Sequence, residues 1–379
     1  MVVADKKKKV SWRRRLMFKL NLIAIVFILF SYSASFISPQ KIWWLALFGL
    51  GYGIMLSVNL FFVFFWLILK DRKIWFSLVV ILIGMSKILS IFEFHFLSGD
   101  PEKKSENSIF PLKVMSYNVR LFDLYNWTHN LETREKIFQF LAKESPDIVC
   151  FQEYYSTESR DQNFNNNDTL KKITSANFSH IEYSLTLRGK DHWGIATFSK
   201  YPIIHKQAVH FEQQGGNMFI YSDVVLGKDT LRVYNTHLES IRFNMKDYKF
   251  IENLGSGIEQ DEMDRSVSIV MRLKRAFILR AKQVELLHAH ILQSPYPVIL
   301  CGDFNDTPSS YTYSIIAKRL KDSFRESGAG LGKTYAGAFP SFRIDYIFHD
   351  EQLKSSGYRT HHEKLSDHYP VSCWINKND

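Results

Sequence analysis

Val298-Ile-Leu-Cys-Gly-Asp303-Phe-Asn305-Asp306-Thr-Pro308 joins four apolar residues to a glycine, two carboxylates and an amide. Such a run, ending abruptly on polar groups, predicts a strand buried on both faces that delivers its last side chains to a rim. In an extended segment the i, i+2 spacing of Asp303 and Asn305 points both side chains to one side. Gly302 permits close approach of a neighbouring backbone. A carboxylate so placed can orient or deprotonate an attacking water while the amide holds that water in line. Asp306, leading into Thr-Pro, reads as a turn former.

Five more short polar motifs are spread over the same part of the chain: Met-Ser-Tyr-Asn118, Cys-Phe-Gln-Glu153, Asn-Thr-His237-Leu, Ile-Asp345-Tyr and Ser-Asp367-His368. Most end apolar, β-branched runs, where strands of a buried sheet reach a common rim. Asn, Glu, His and Asp gathered there are what a hard metal ion and a phosphate ester need. Glu153, at the end of a strand, can hold Mg²⁺ with substrate and water filling the remaining positions. The Asn118 amide can bind near a metal and donate to a phosphate oxygen. Two histidines converging on one phosphoryl group, His237 and His368, can stabilise its charge and protonate the leaving oxygen. Singly, each has a structural alternative: a surface Glu after a strand, an Asn that ends one, a structural His among 13.

The net charge of +10 is unevenly placed. Residues 1–111 hold 15 Lys/Arg and 6 Asp/Glu, whereas 112–379 hold 33 and 32. The nearly neutral C-terminal part argues against gripping nucleic acid by phosphate neutralisation alone. Cys150, Cys301 and Cys373 lie in apolar runs without a CxxC pattern, so they read as buried hydrophobes.

Three apolar stretches open the chain, about 16–37, 42–69 and 74–97, and each is long enough to cross a bilayer. Lys87 and Glu93 interrupt the third. Lys6–Lys9 and Arg13–Arg15 precede the first stretch, and Lys70, Arg72 and Lys73 lie between the second and third. By charge bias these ends face the cytoplasm, so three spans would leave everything after Leu97 outside. Gly49, Gly51 and Gly53 read as helix-packing positions and not as a nucleotide loop. Residues 98–111, polar with two prolines, read as a linker. The predicted organisation is a membrane region (1–97), a linker (98–111) and a catalytic domain (112–379).

Within that domain the patterns predict strands at Leu112–Val119, Asp147–Phe151, His180–Leu187, Gly194–Ser199, Ile203–His210, Met218–Leu226, Thr230–Asn235, Pro297–Leu300, Ile344–Phe348 and Val371–Ile375. Helices are predicted at Thr133–Lys143, with Thr133 as N-cap, at Ser266–Gln293 and at Tyr311–Leu320. Asp161–Asp168 and residues 241–264 read as loops. Many strands with few helices suggest two packed sheets flanked by helices.

Together and in this order, the six motifs resemble the endonuclease/exonuclease/phosphatase superfamily over about Leu112–Ile375, which excludes the membrane region. The resemblance implies an α+β fold, a four-layer α/β/β/α sandwich of two mixed sheets flanked by helices, here preceded by an all-α transmembrane region. It implies a hydrolase dependent on Mg²⁺ or Mn²⁺. Glu153 would be the principal metal ligand, joined by Asn118 and Asp367. Asn118, Asn305 and His237 would contact substrate. His237, Asp303, Asn305, Asp345 and His368 would be catalytic, with Asp345 orienting His368. Trp193–Pro202 matches a strand and turn of the superfamily. No confident counterpart exists for the tyrosine or arginine that nucleases of the group place beside the phosphate. Tyr154 and Tyr155 are candidates, and Arg188 and Arg343 either touch phosphate or form salt bridges.

The expected protein is a phosphodiesterase anchored in the inner membrane, multi-pass, with its catalytic domain extracytoplasmic or periplasmic. Its substrate would be a phospholipid head group or another phosphodiester outside the cytoplasm, and no obligate protein partner is implied. Alternatives are a nuclease acting on nucleic acid, a membrane-tethered binding module without activity, which should have lost Glu153, Asp303 or His368, and a transport or sensing protein.

Overall fold

A computed structural model describes residues 12–94, 111–159, 164–211, 216–242, 260–337 and 342–377. The predicted linker falls almost wholly outside these, as does most of the 241–264 loop.

Two six-stranded mixed sheets form the catalytic domain. The first has the order β13(Leu353–Thr360)-β14(Val371–Lys377)-β2(Leu112–Asn118)-β3(Ile148–Thr157)-β5(Asp191–Ser199)-β4(Phe178–Leu187). Only its β2–β3 pair is parallel. The second has the order β10(Lys321–Asp322)-β12(Asp345–His349)-β9(Val298–Asp303)-β8(Asp229–His237)-β7(Met218–Leu226)-β6(Ile203–His210), with β8–β9 parallel. Alternate side chains of both sheets meet in a buried core that includes Val114, Cys150, Val233, Ile299, Cys301, Ile347 and Cys373. The three cysteines are free and buried, as their apolar settings imply.

Helices cover the outer faces. α6(Thr133–Glu144) and α7(Asn166–Thr174) bury Ile137, Phe138, Leu141 and Leu170 against the first sheet. α8(Gln260–Leu292) and α9(Tyr311–Ile316) bury Val284, Leu287, Ile291, Tyr313 and Ile316 against the second. The result is the four-layer α/β/β/α sandwich.

Several elements differ from the sequence reading. α7 occupies part of the predicted Asp161–Asp168 loop, because Leu170 and Thr174 fall a turn apart on one buried face. Glu132, not Thr133, is the N-cap of α6, and the Thr133 hydroxyl instead donates to the Asn130 carbonyl. β3 runs six residues beyond Phe151, through a bulge between Phe151 and Tyr154. α9 stops at Ile316, four residues early. α10(Ser323–Ser327) and β13 were unmarked in the sequence.

The N-terminal region is helical: α1(Trp12–Ser33), α2(Leu45–Leu50), α3(Tyr52–Ile68), α4(Ile74–Ile83) and α5(Met85–Ile91). The second and third apolar stretches are not continuous helices. Gly51 separates α2 from α3, and Gly84 separates α4 from α5, which bend by 63°. A Cβ at Gly84 would lie 2.0 Å from the Tyr32 hydroxyl oxygen, so the break at glycine admits that ring. Among the described residues α1 alone is long and apolar enough to cross a membrane by itself; α4 and α5 together would make a second, broken span, and α3 has 17 residues. The length and position of α1 suit a membrane span or a signal sequence equally.

The region buries Ala24, Ile28, Tyr52, Phe62, Trp66 and Val80, with a polar network running among them, and its outside is apolar as well. Asn21 donates to Ser77 (2.6 Å), Trp66 Nε1 donates to Asn21 (2.8 Å), and Ser77 donates to Asn59 (3.2 Å), joining α1, α3 and α4. Meanwhile Ile54, Phe64, Ile68, Trp75 and Ile83 are exposed.

Candidate active site

Strand register brings the motifs together. In the second sheet Asp303 pairs with His237 on one side and with Asp345 on the other. Asp303, last in β9, is thus flanked by His237, last in β8, and Asp345, first in β12. A Cβ at Gly302 would meet the Thr236 carbonyl oxygen at 2.3 Å, so only glycine lets β8 and β9 run this close. From the first sheet, Asn118 ends β2 beside Gln152 of β3.

The two sheets are tied just below the rim. Gln152 Nε2 donates to Asn235 Oδ1 (2.7 Å), and Asn235 Nδ2 donates to the carbonyls of Phe151 (3.1 Å) and Ala196 (3.0 Å). Both side chains are fully buried, where an unmade hydrogen bond would cost about 1–3 kcal/mol. Both stood in the quoted motifs, one residue before Glu153 and two before His237, yet only the structure assigns them this bridging part.

Asp303 is the hub. Its Oδ2 accepts from Asn118 Nδ2 (3.0 Å) and Asn305 Nδ2 (3.3 Å), while Oδ1 accepts from the Asn305 backbone N–H (2.8 Å). His237 Nε2 lies 3.6 Å and His368 Nε2 3.7 Å from the same Oδ2. Burial pushes the Asp303 carboxyl above its ordinary range; neighbouring Asp345 adds to this, against the pull of both histidines. Asn305 is close to Asp303 for a different reason from the extended spacing expected. It has φ 52°, so the chain turns there, and Phe304 between them is fully buried.

His368 lies on the loop before β14 and is held by Asp345, whose two oxygens are 3.1 and 3.0 Å from Nδ1. Burial opposes charge on this imidazole, but Asp345 and Asp303 outweigh it and hold its pKa well above the ordinary histidine value. Ser366 fastens the loop by donating to the Asn118 carbonyl (2.9 Å).

Glu153 is aimed by the β3 bulge, where it takes φ 47°. Bulges redirect a side chain in this way at the cost of local strain. Its Oε1 is 3.4 Å from Asn118 Nδ2 and 3.9 Å from His237 Nε2. Asp367 meets a different partner, Arg120 Nε at 3.4 Å. The Arg120 guanidinium also lies over the Trp127 ring at 4.4 Å, and its backbone N–H donates to Asn118 Oδ1 (3.0 Å). Arg120 had one sequence signal, its place two residues after Asn118, and it is the rim cation the sequence reading lacked. Tyr154 and Tyr155 are buried and donate to Asn167 and Asp191, away from the rim. Arg343 is buried on Asp322 in the salt bridge foreseen as one alternative. Arg188 lies in the β4–β5 turn.

The donor set suits a hard divalent cation. Glu153 offers a partly exposed carboxylate beside the Asn118 side chain, and oxygen donors of this kind are what such an ion takes. Asp303, Asp345 and His368 also present ligand atoms within 4.8 Å of one another. The Asp345 oxygens there are occupied by His368, so this triad is better read as a hydrogen-bonded orienting pair beside the hub.

Comparison with known proteins agrees with this geometry. The crystal structure of an endonuclease/exonuclease/phosphatase from Beutenbergia cavernae is 18% identical, with TM-score 0.51 over 71% of this chain and 72% of that one. An endonuclease/exonuclease/phosphatase family protein from Bacteroides thetaiotaomicron is 16% identical, with TM-score 0.51 over 71% and 99%. The human Nocturnin catalytic domain with bound sulfate anion is 16% identical, with TM-score 0.50 over 71% and 95%. At these identities the likeness concerns the fold. No curated protein matches. A domain of unknown function matches residues 14–91. The Endonuclease/Exonuclease/phosphatase family, which generally uses a divalent metal, matches residues 115–368. The chain belongs to that family and is a hydrolase of phosphoester bonds.

Proposed function

We propose a membrane-anchored, Mg²⁺- or Mn²⁺-dependent phosphodiesterase whose substrate lies at a membrane surface outside the cytoplasm. The observation that carries the catalytic assignment is the convergence of groups from both sheets on Asp303 Oδ2. Glu153 and Asn118, with Asp367 turned in from Arg120, would hold the metal, which when bound polarises the phosphoryl group and lowers the pKa of water. Asp303 accepts the proton of the attacking water. Its burial above the ordinary carboxyl range suits a base that must take up a proton. Asn305, fixed by the Leu238 carbonyl (3.0 Å), holds that water in line. His237 donates to a non-bridging oxygen. His368, kept protonated and oriented by Asp345, stabilises the developing charge and protonates the leaving oxygen.

The membrane part of the proposal rests on the helical region, whose outer surface carries large apolar side chains. Hydrogen-bonded Asn, Ser and Trp inside, with large apolar side chains outside, suits lipid as the surrounding medium. Three passes, the second and third broken at Gly51 and Gly84, agree with the charge distribution. Arg13–Arg15 open α1, and Lys73 lies over the Phe18 and Trp66 rings near that end. Ser35, Ser38 and Gln40, beyond the other end of α1, contact the catalytic domain. Basic end in and catalytic end out is the favoured topology. Ser309 touches Ser35 and lies six residues from Asp303, so that carboxylate is within about 20 Å of the helical region. This proximity favours a phospholipid head group over nucleic acid.

The test is turnover by the full chain of phospholipid vesicles and of plasmid DNA, each with Mg²⁺ and with excess chelator. Metal-dependent lipid turnover is expected. Plasmid nicking without lipid turnover would establish the nuclease alternative, and full activity in chelator would remove the metal. A C-terminal alkaline phosphatase fusion should be active; an inactive one would reverse the topology.

A further inference from the structure

Besides its contacts to Glu285, the helical region meets the catalytic domain behind the segments that carry Asp303 and Asp345. Beyond α1, the Ser35 hydroxyl donates to the Ser309 carbonyl (2.8 Å), and both residues are buried. A Cβ on Gly49 of α2 would come within 3.3 Å of the same oxygen, so α2 lies directly against it. Ser309 belongs to the loop that begins at Asp303 and Asn305. Between them Asp306 is pinned by Thr312 (2.8 Å) and Arg280 (3.3 Å).

The second contact comes from α5. The Ser90 carbonyl accepts from Arg343 Nη2 (2.8 Å), which is buried and forked onto Asp322 at 3.0 and 2.6 Å. Arg343 stands two residues before Asp345, the partner of His368. The chain then continues as β1(Phe92–Phe94), paired with β11(Ala329–Leu331) of the catalytic domain.

The two contacts converge on one hydroxyl. Tyr346 Oη lies 2.8 Å from the carbonyls of both Asp306 and Arg343 and shares its single proton between them. One loop holds Asp303 and Asn305, the other Asp345, and Tyr346 ties them together where the helical region braces each from behind.

We propose that the N-terminal helical region is a positioning element of the active site, with Ser35, Gly49 and Ser90 setting the Asp303–Ser310 loop and the approach to β12. A flexible tether needs none of these contacts. Their location opposite catalytic loops suggests that catalysis depends on the region's seating, over and above the phosphoester-hydrolase reading on which this rests. Small displacements matter here, since a shift of about 1 Å in a reacting group can cost on the order of 10²-fold in rate.

The experiment uses the full chain in lipid nanodiscs, bis(p-nitrophenyl) phosphate with Mn²⁺ as the turnover probe, and amide hydrogen exchange of the Phe304–Ser310 segment. Ser35→Ala and Gly49→Leu should each lower kcat by about tenfold or more, with KM nearly unchanged and faster exchange in that segment. Ser35→Thr, which keeps the donor, should restore both readouts. Gln40→Ala removes an exposed contact to Glu285 at 2.9 Å in the same interface while Tyr311, which follows the loop, keeps its own hydrogen bond to that carboxylate at 2.8 Å, so it should stay within about twofold. Unchanged kcat and exchange in folded Ser35→Ala and Gly49→Leu would overturn the proposal, as would an equal loss in Gln40→Ala. If Gly49→Leu fails to fold, Ser35→Ala against Ser35→Thr decides. If the wild type does not hydrolyse the probe, the hydrolase reading fails for diesters of this kind, and exchange alone still decides whether the helices set the loop.

Discussion

Replacing Asp303 with asparagine separates its chemical part from its structural one. The carboxylate accepts three hydrogen bonds: one from the Asn305 backbone at Oδ1, and two from Asn118 and Asn305 amides at Oδ2. Asparagine keeps the shape but has one acceptor oxygen. Whichever way it turns, its own NH₂ faces at least one former donor, a loss of about 1–3 kcal/mol. Opposing this, burial raises the Asp303 pKa, so the charged form is disfavoured in the folded protein and neutralising it gives stability back. The two effects have opposite sign, so the thermal midpoint should fall by less than the roughly 2–12 °C that the lost hydrogen bonds alone would cost at about 2–4 °C per kcal/mol for a domain of this size. The rate has no such compensation. Asparagine cannot take the proton of water, and losing a general base costs on the order of 10²–10⁴-fold, or about 2.7–5.4 kcal/mol of transition-state stabilisation. Asp303→Asn should therefore be folded and nearly dead. The assay is turnover of a phosphodiester with Mg²⁺ alongside calorimetry of the same sample. A kcat within tenfold of wild type would refute the assignment of Asp303 as base. A collapse in melting temperature with proportionate loss of active molecules would make it a structural hub instead.

Two other perturbations follow from the geometry. Gly302→Ala inserts a methyl 2.3 Å from the Thr236 carbonyl oxygen, forcing β8 and β9 apart where they carry His237 and Asp303. It should cost about 1–3 kcal/mol of stability and most of the activity, and an alanine variant with normal melting and turnover would contradict the close strand approach. Burial, helped by Lys206, depresses the His180 pKa to about 4, and the ring contacts Ser222 at 3.0 Å. Below pH 6.5 the unfolded chain binds a proton there that the folded chain refuses, so this residue takes away about 1.4 kcal/mol of stability per pH unit as pH falls towards 4. The stability difference between wild type and His180→Gln should be flat above pH 6.5 and shift by about 2 kcal/mol against the wild type by pH 5; a pH-independent difference would mean the ring is protonated in the folded state.

What the sequence disclosed, and what it withheld, divides along a physical line. Asp303, His237 and Asn118 were legible because strand-ending polar residues after apolar runs are a local pattern, and strand ends are where a sheet presents side chains. Glu153 was legible as a residue but not as a conformation. Its aim depends on a bulge, which is a mismatch between two strands and has no signature in either alone. Arg120, Gln152 and Asn235 were in plain view beside the motifs, but their parts exist only across the gap between sheets or loops. The helical region illustrates the same limit most sharply. Hydropathy finds three apolar stretches, because composition alone marks them. The glycine breaks at Gly51 and Gly84, the Asn21–Ser77–Asn59 network and the contact of Ser35 with Ser309 all depend on which surfaces meet. A span read in isolation is an anchor. Only when Ser35 is seen against the catalytic loop does it become reasonable that the helical region and the active site were shaped as one piece, and that cutting the domain free of its helices would alter its chemistry.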